Sequence, residues 1–398
     1  MKVLLINSVC GYGSTGRIVT DLYKSLVEQG HQCLIAYGRG TAPSEIDSIR
    51  IGTVFDNYMH VAKTRLFDLH GFASSKATKD FIKVAKKYNP DVIHLHNIHG
   101  YYIDIKLLFE YLKEANKPIV WTLHDCWTFT GHCTHFDYIG CNKWKEECYC
   151  CPQKTEYPRS IFADNSLKNY RRKKELFTGL KNMTIITPSI WLGELVKESY
   201  LKEYNLIVIN NGIDLSIFKP KEKTLFRYEY NLNNEFIILG VASVWTERKG
   251  MKYFLELSKL IDNNSRIVLV GLSDKQLKNL PKNIIGIHRT SNPDQLSEIY
   301  SAADVFVNPT LEDNYPTTNL EALACGTPVI TFNTGGSVES VDEDTGMVVQ
   351  KGNLPDLFHA VERLHTLNIE QKACLRKSLS FNKNDKYKKY LDIYMNIC

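Results

Sequence analysis

Residues 308–329 read Asn-Pro-Thr-Leu-Glu-Asp-Asn-Tyr-Pro-Thr-Thr-Asn-Leu-Glu-Ala-Leu-Ala-Cys-Gly-Thr-Pro-Val, the stretch richest in usable chemistry among 398 residues. The apolar run Asp304-Val305-Phe306-Val307 predicts a strand leading into a loop that holds Glu312 and Asp313. Pro316 and Thr317 then open a helix that carries Glu321 and stops at Gly326, with Pro328 just beyond. Proline near a helix start and glycine past its end is the usual asymmetry of helix termini. Two carboxylates therefore flank a helix N-terminus, whose free N–H groups and dipole favour a phosphate. Carboxylates bind sugar hydroxyls, so a sugar phosphate would satisfy both features.

The string resembles the Glu-x7-Glu signature of retaining, family-4-type glycosyltransferases of GT-B fold. Their usual continuation, Glu-Ala-x-Ala-x-Gly-x-Pro, stands here as Glu321-Ala322-Leu323-Ala324-Cys325-Gly326-Thr327-Pro328. One departure is visible: eight residues before Glu321 lies Asp313, and Glu312 lies nine before. Spacing carries the first acidic role onto Asp313, with Glu312 as its rival. The resemblance implies that Asp313 binds sugar hydroxyls and Glu321 the ribose of a nucleotide. Glu312, Tyr315, Thr317, Thr318 and Asn319 would line the donor beside them.

Other segments extend the likeness from the first strand to about Val349. Val208-Ile209-Asn210-Asn211-Gly212-Ile213-Asp214 looks like the segment that enters the family's second domain, and places Asn211 near the donor. Ser243-Val244-Trp245-Thr246-Glu247-Arg248-Lys249-Gly250 places Lys249 at the donor diphosphate. Ser243 stands where many relatives have an arginine, and Arg248 is expected to share that task. His124, at the end of strand Pro118–Leu123, corresponds to a histidine that faces the donor sugar. For His94, His96 and His99, also at a strand end, a packed role and an acceptor-lining role stay open. The string Trp121-Thr122-Leu123-His124-Asp125, continuing to Trp127, Thr130 and Gly131, resembles the subgroup that builds colanic acid, capsules and O-antigens.

Gly11-Tyr12-Gly13-Ser14-Thr15-Gly16 matches Gly-x-Gly-x-x-Gly after the first strand, which by itself suggests a dinucleotide-binding oxidoreductase. The NAD form needs an acid at the end of strand two, yet that strand ends Ala36-Tyr37-Gly38-Arg39-Gly40. Arg39 would suit NADP, but no hydride-transfer site follows. The family resemblance instead puts a glycine-rich loop here, with Gly13 near the donor phosphates and the acceptor.

Apolar strand-like runs at Lys2–Val9, Gln32–Tyr37, Asp91–His96, Pro118–Leu123 and Met183–Thr187 form one series. Phe236–Val241, Arg266–Val270, Ile284–Ile287, Asp304–Val307 and Pro328–Phe332 form a second. Helical patterns such as Ile18–Gln29, Tyr253–Ile261 and Gln295–Ala302 lie between them, an α/β alternation that predicts doubly wound parallel sheets. The resemblance implies GT-B, two Rossmann-like domains facing a cleft. The expected domains are 1–200, with a cysteine-rich insertion at 126–152, and 201–380; a helix at 381–398 returns to the first domain.

Composition narrows the class. Hydrophobic content of 43% and charged content of 23% suit a soluble globular protein. No apolar run reaches the ~20 residues of a membrane span, and Val3-Leu4-Leu5-Ile6 is too short for a signal-peptide core. A cytoplasmic location is expected, so the 11 cysteines read as thiols or metal ligands rather than disulfides. Cys133, Cys141, Cys148 and Cys151 could hold a structural zinc, with Cys150, Cys126, His132 and His135 as substitutes. Residues 1–200 hold 26 Lys and Arg against 20 Asp and Glu. The densest basic stretch runs Lys168-Asn169-Tyr170-Arg171-Arg172-Lys173-Lys174, followed by Leu176, Phe177 and Lys181. It is either a solvated helix face or a surface for anionic lipid or a lipid diphosphate.

The expected activity is transfer of a hexose, with retention, from a UDP- or GDP-linked donor to a lipid-linked saccharide in surface-polysaccharide assembly. His124, Lys249, Asp313 and Glu321 would carry it, with no cofactor for catalysis, no nucleic-acid partner and work at the inner membrane surface. The alternatives are an NADP-dependent oxidoreductase and a non-catalytic sugar-binding protein of the same fold.

Overall fold

Strand β1 (Lys2–Val9) buries every residue after Lys2 and passes through Gly11 into helix α1 (Gly13–Glu28). There follow β2 (Gln32–Arg39), β3 (Ser48–Arg50), α2 (Val54–Phe67), α3 (Ser75–Tyr88), β4 (Val92–Leu95), α4 (Ile105–Ala115) and β5 (Ile119–Thr122). Residues 123–165 then run with only two 3₁₀ turns, Trp127–Phe129 and Lys143–Lys145, before α5 (Ser166–Phe177), β6 (Met183–Thr187), α6 (Ile190–Glu198) and β7 (Asn205–Val208). All seven strands are parallel, in the order β3-β2-β1-β4-β5-β6-β7. The computed structural model describes residues 1–367 and 369–398, and its first unit comprises Met1–Ile209 with Tyr387–Cys398.

The second unit, Asn210–Lys386, repeats the scheme. Its elements are α7 (Thr224–Glu229), β8 (Phe236–Val241), α8 (Met251–Leu257), β9 (Ser265–Val270), α9 (Asp274–Leu277), β10 (Ile284–Ile287) and α10 (Pro293–Ala302). Then come β11 (Val305–Asn308), α11 (Thr317–Ala324), β12 (Val329–Phe332), β13 (Gly346–Val349), α12 (Leu354–Thr366) and α13 (Gln371–Ser378). Six parallel strands lie in the order β10-β9-β8-β11-β12-β13. Helix α14 (Lys383–Ile397) begins in this unit, and from Tyr387 onward its residues belong to the first.

Alternation along each central strand feeds two cores, one per sheet face. Leu4 and Ile6 of β1 pack with Phe81, Leu108 and Trp121, while Val3 and Leu5 pack with Leu22, Leu26, Tyr390 and Tyr394. Ile237 and Leu239 of β8 face Phe306 and Leu320, whereas Ile238 faces Phe254 and Leu257. Burying each such side chain contributes roughly 1.5–3 kcal/mol.

The doubly wound α/β expectation is met, and all ten sequence-read strands are present within two residues of their bounds. Strands β3, β7 and β13 were not read from the sequence. They are edge strands of three or four residues and mostly only partly buried; β3 carries no apolar run, and the runs Leu206-Ile207-Val208 of β7 and Met347-Val348-Val349 of β13 are only three residues long.

Candidate active site

Strands β8 and β11 are neighbours although β9 and β10 separate them in the chain, so the strand order reverses between them. Ligands of open parallel sheets sit beyond the carboxyl ends of strands at such a point. The loops leaving β8 and β11 are laced together there. Leu311 N–H donates to the Arg248 carbonyl at 2.8 Å, and Arg248 Nη1 donates to the Glu312 carbonyl at 2.7 Å. Gly250 has φ +77°, and a Cβ on it would lie 2.0 Å from the Pro309 carbonyl oxygen, so only glycine permits this approach. Held by this lacing, Lys249 Nζ donates to Asp313 Oδ2 at 2.5 Å, with both side chains partly exposed. The Asp313 carbonyl accepts from Gly336 N–H at 3.3 Å, which fixes the loop from its other side.

Helix α11 begins three residues past Asn314. Pro316 is its N-cap, no side chain caps it, and its first turn holds no acid. Thr317 and Thr318 are half-buried at that end, where helix N–H groups suit an anion. Glu321, one turn further, is 8% exposed and accepts from Tyr300 Oη at 3.1 Å. Burial, then the Glu321 charge, push the Tyr300 hydroxyl well above its ordinary pKa. Asn319 is fully buried: it accepts from Asn308 Nδ2 at 2.8 Å and donates to Ser337 and Ser340. Tyr315 is buried with its carbonyl accepting from Asn211 Nδ2 at 3.3 Å, and Glu312 is 2% exposed. Lys249, Asp313, Thr317 and Thr318 are thus partly open to solvent, while Glu312, Tyr315, Asn319 and Glu321 lie deeper.

The first unit carries His124 and Gly13. His124 is half-buried beyond β5, with Nε2 3.0 Å from His96 Nδ1 and the two rings stacked. Burial holds the His124 imidazole down at about 4, against the neighbouring Asp125 carboxylate, which favours the proton. Burial would raise Asp125, but His99 at 2.7 Å, together with His135 and the Trp127 N–H, outweighs it and holds the carboxyl at about 2. His94 is buried between Tyr394 Oη at 2.5 Å and Thr122 Oγ1 at 2.8 Å, so it is a packed histidine. Gly13, exposed at the start of α1, has φ +66° with open space around its Cα.

Residues 15–217 match the model for Glycosyltransferase Family 4, and residues 235–366 match that for glycosyl transferases group 1. This chain belongs to glycosyltransferase family 4. A colanic acid biosynthesis glycosyl transferase, WcaC, of Escherichia coli (strain K12) is 23% identical over the full length of both chains. An N,N'-diacetylbacillosaminyl-diphospho-undecaprenol alpha-1,3-N-acetylgalactosaminyltransferase of Campylobacter jejuni is 27% identical over 51% of this chain and 57% of its own. A UDP-Gal:alpha-D-GlcNAc-diphosphoundecaprenol alpha-1,3-galactosyltransferase of Escherichia coli is 29% identical over the same shares. In fold, sucrose-phosphate synthase from Thermosynechococcus elongatus superposes with TM-score 0.74 at 18% identity, covering 100% of this chain and 98% of its own. Anabaena HepE in complex with UDP gives 0.71 at 14%, with both chains fully covered. The two Rossmann-like units are those of GT-B glycosyltransferases.

In this glycosyltransferase the basic stretch is split by its helix: Lys168, Arg171 and Lys174 are exposed, while Asn169, Tyr170 and Lys173 are buried. Lys173 on α5 is buried, its Nζ donating to the carbonyls of Trp127 at 2.8 Å and Thr130 at 3.1 Å, over the Trp127 ring. Burial lowers its pKa to about 7. Arg172 lies over the Phe72 ring, Arg171 pairs with Glu147, and Phe177 is fully buried. Helical spacing turned half of the run inward, which a count of charges does not show.

Cys133, Cys141, Cys148 and Cys151 all line one small cavity with Thr130, His132 and Trp144. All are free thiols. A hydrogen bond from Cys133 lowers Cys151 to about 7. Among the described residues, no group of three or more His, Cys, Asp or Glu is gathered so as to hold a metal ion as it stands. His132 Nδ1 lies 2.6 Å from Asp68 Oδ1, and its buried Nε2 has no hydrogen-bond partner. Sequence reading missed Tyr300, the partner of Glu321, and Asp68, the partner of His132. Neither stands in a motif, and both pairings join residues far apart in the chain.

Proposed function

We propose that this enzyme transfers a hexose, with retention, from a UDP- or GDP-linked donor to a lipid-linked saccharide during assembly of a surface polysaccharide such as O-antigen or capsule. The Lys249–Asp313 pair at the switch point of the second sheet, beside the uncapped start of α11, carries this reading. Breaking the anomeric C–O bond puts negative charge on the departing diphosphate and positive charge on the sugar ring. Lys249, Arg248 and the N–H groups at Thr317 and Thr318 are the donors for that leaving group. Fixed donors of this kind are worth roughly 3 kcal/mol each in the transition state. When Lys249 turns to phosphate, Asp313 is released to accept sugar hydroxyls; Glu321 takes the ribose, and His124 addresses the sugar. These cations do the work that a divalent ion does elsewhere, so turnover proceeds without added Mg²⁺ or Mn²⁺.

The lipid-linked acceptor is supported by the two relatives whose names include a diphospho-undecaprenol. No helix among the described residues is long and apolar enough to cross a membrane. The exposed face of helix α2 supports work at a membrane surface. It turns His60 and Thr64 inward and leaves Phe55, Tyr58, Met59, Leu66 and Phe67 exposed, with Lys63 and Arg65 among them. An apolar face edged by cations suits an anionic bilayer.

For the insertion, the reading is a structural zinc held by Cys133, Cys141, Cys148 and Cys151. Their shared cavity and the unpartnered His132 Nε2 beside it support this. Zn–S bonds near 2.3 Å would require the thiolates to close around the ion.

Thermal shift with UDP, GDP and NADP tests the donor reading. Stabilisation by UDP or GDP, absent in Lys249→Ala, is expected. Stabilisation by NADP alone would favour an oxidoreductase, and nucleotide binding with no turnover of any nucleotide sugar would favour a non-catalytic protein.

A further inference from the structure

Arg39 closes strand β2 in register with Val9 of β1, at the carboxyl end of the first sheet. The strand order of that sheet reverses between β1 and β4, so Arg39 stands one strand from the switch point. Its surroundings are built closely. A Cβ on Gly38 would lie 2.1 Å from the Tyr102 ring, and one on Gly40 (φ +76°) would lie 2.3 Å from the Tyr12 ring. Two glycines thus let two tyrosine rings press against the strand on either side of Arg39. The guanidinium extends over Gly100, where a Cβ would lie 3.6 Å from Nη2.

Among the described residues, no acidic side chain answers this charge. Arg39 is half-buried, its Nε is shielded from solvent without a hydrogen-bond partner, and no carboxylate pairs with it among the described residues. Tyr101 feels the same cation, which works against the burial that raises its pKa. A guanidinium taken partly out of water costs free energy unless an acceptor meets it. Its planar fork fits phosphate oxygens in a bidentate way. The neighbouring loop, Gly11 to Gly13, is open at Gly13 and offers no acid in the first turn of α1.

We propose that Arg39 is the binding residue of a second diphosphate subsite, separate from Lys249, which takes the diphosphate of the lipid-linked acceptor. This rests on the glycosyltransferase reading, because both substrates then carry a diphosphate and the chain needs two places for that one chemistry. Lys249 serves the nucleotide in the second unit, and Arg39 serves the acceptor in the first.

Calorimetric titration of the full chain with farnesyl diphosphate and, separately, with UDP distinguishes the two sources. Arg39→Ala is expected to weaken farnesyl diphosphate at least ~10-fold, as for loss of a charge-assisted pair, and to leave UDP affinity unchanged. Lys249→Ala should do the reverse. Arg39→Lys keeps the charge without the fork and should recover part of the affinity, which controls for misfolding. Unchanged farnesyl diphosphate binding in Arg39→Ala, or loss of UDP binding with it, would overturn the proposal. The readout is binding alone, so it stands apart from whether any sugar is transferred.

Discussion

Lys249 and Asp313 share one hydrogen bond, so each residue sets the other's position before any sugar arrives. Spacing in the sequence singled out Asp313 over Glu312, and burial gives the choice a physical form. Asp313 is partly open beside Lys249, whereas Glu312 is 2% exposed. Asp313→Ala is expected to lower transfer by more than ~100-fold with little change in nucleotide affinity or melting temperature. Glu312→Ala is expected to melt lower and to retain more activity. Transfer assays and thermal melts of both variants check this, and the opposite order of activities would hand the sugar to Glu312. Lys249, Asp313 and Glu321 were legible because they fall in continuous motifs. Tyr300 was not, because its bond to Glu321 joins two helices and leaves no mark in either one.

Among the elements, α2 and the segment before α5 carry the two least conventional features. On α2 the only buried residues are the polar His60 and Thr64, while Phe55, Tyr58 and Phe67 point out, an unusual face for a helix packed on a core. Replacing Phe55 and Tyr58 with Glu should abolish co-sedimentation with phosphatidylglycerol vesicles while leaving the melting temperature within a degree or two. Unaltered sedimentation would remove α2 from the membrane. Phe55 and Tyr58 were readable as apolar, but their outward direction depends on which face of α2 meets the sheet, so the sequence offered only the basic stretch on α5, as one of two open readings. The cysteine segment has almost no regular structure to hold it. Protein purified anaerobically should contain about one zinc per chain, and Cys148→Ser or Cys151→Ser should lose both the metal and part of the melting temperature. Protein without zinc would leave the four residues as thiols around a cavity.

At the scale of the whole molecule, the two units differ in how they should respond to acid. Burial depresses His60 to about 3 and His124 to about 4, and holds His70, His94 and His96 well below the usual range. All five lie in the first unit. Unfolded histidines take up protons near pH 6.5, so the unfolded first unit binds more protons as pH falls from about 6.5 toward 4, and stability drops across that window. For His124 alone the loss at pH 5 is about 2 kcal/mol. Calorimetry at pH 7 and pH 5 should show the melting of residues 1–209 shifting down by several degrees more than that of 210–386. The doubled α/β architecture was legible from two series of apolar strands, whereas the burial of these histidines depends on packing that no local pattern reports. The central claim is transfer from a nucleotide sugar at Lys249, and the most direct measurement is release of nucleoside diphosphate from UDP- and GDP-hexoses with a polyprenyl-diphosphate saccharide acceptor and no added divalent metal. Release by the native enzyme that falls at least ~100-fold in Lys249→Ala is the expected result, and release unaffected by Lys249→Ala, or strictly dependent on Mg²⁺, would contradict it.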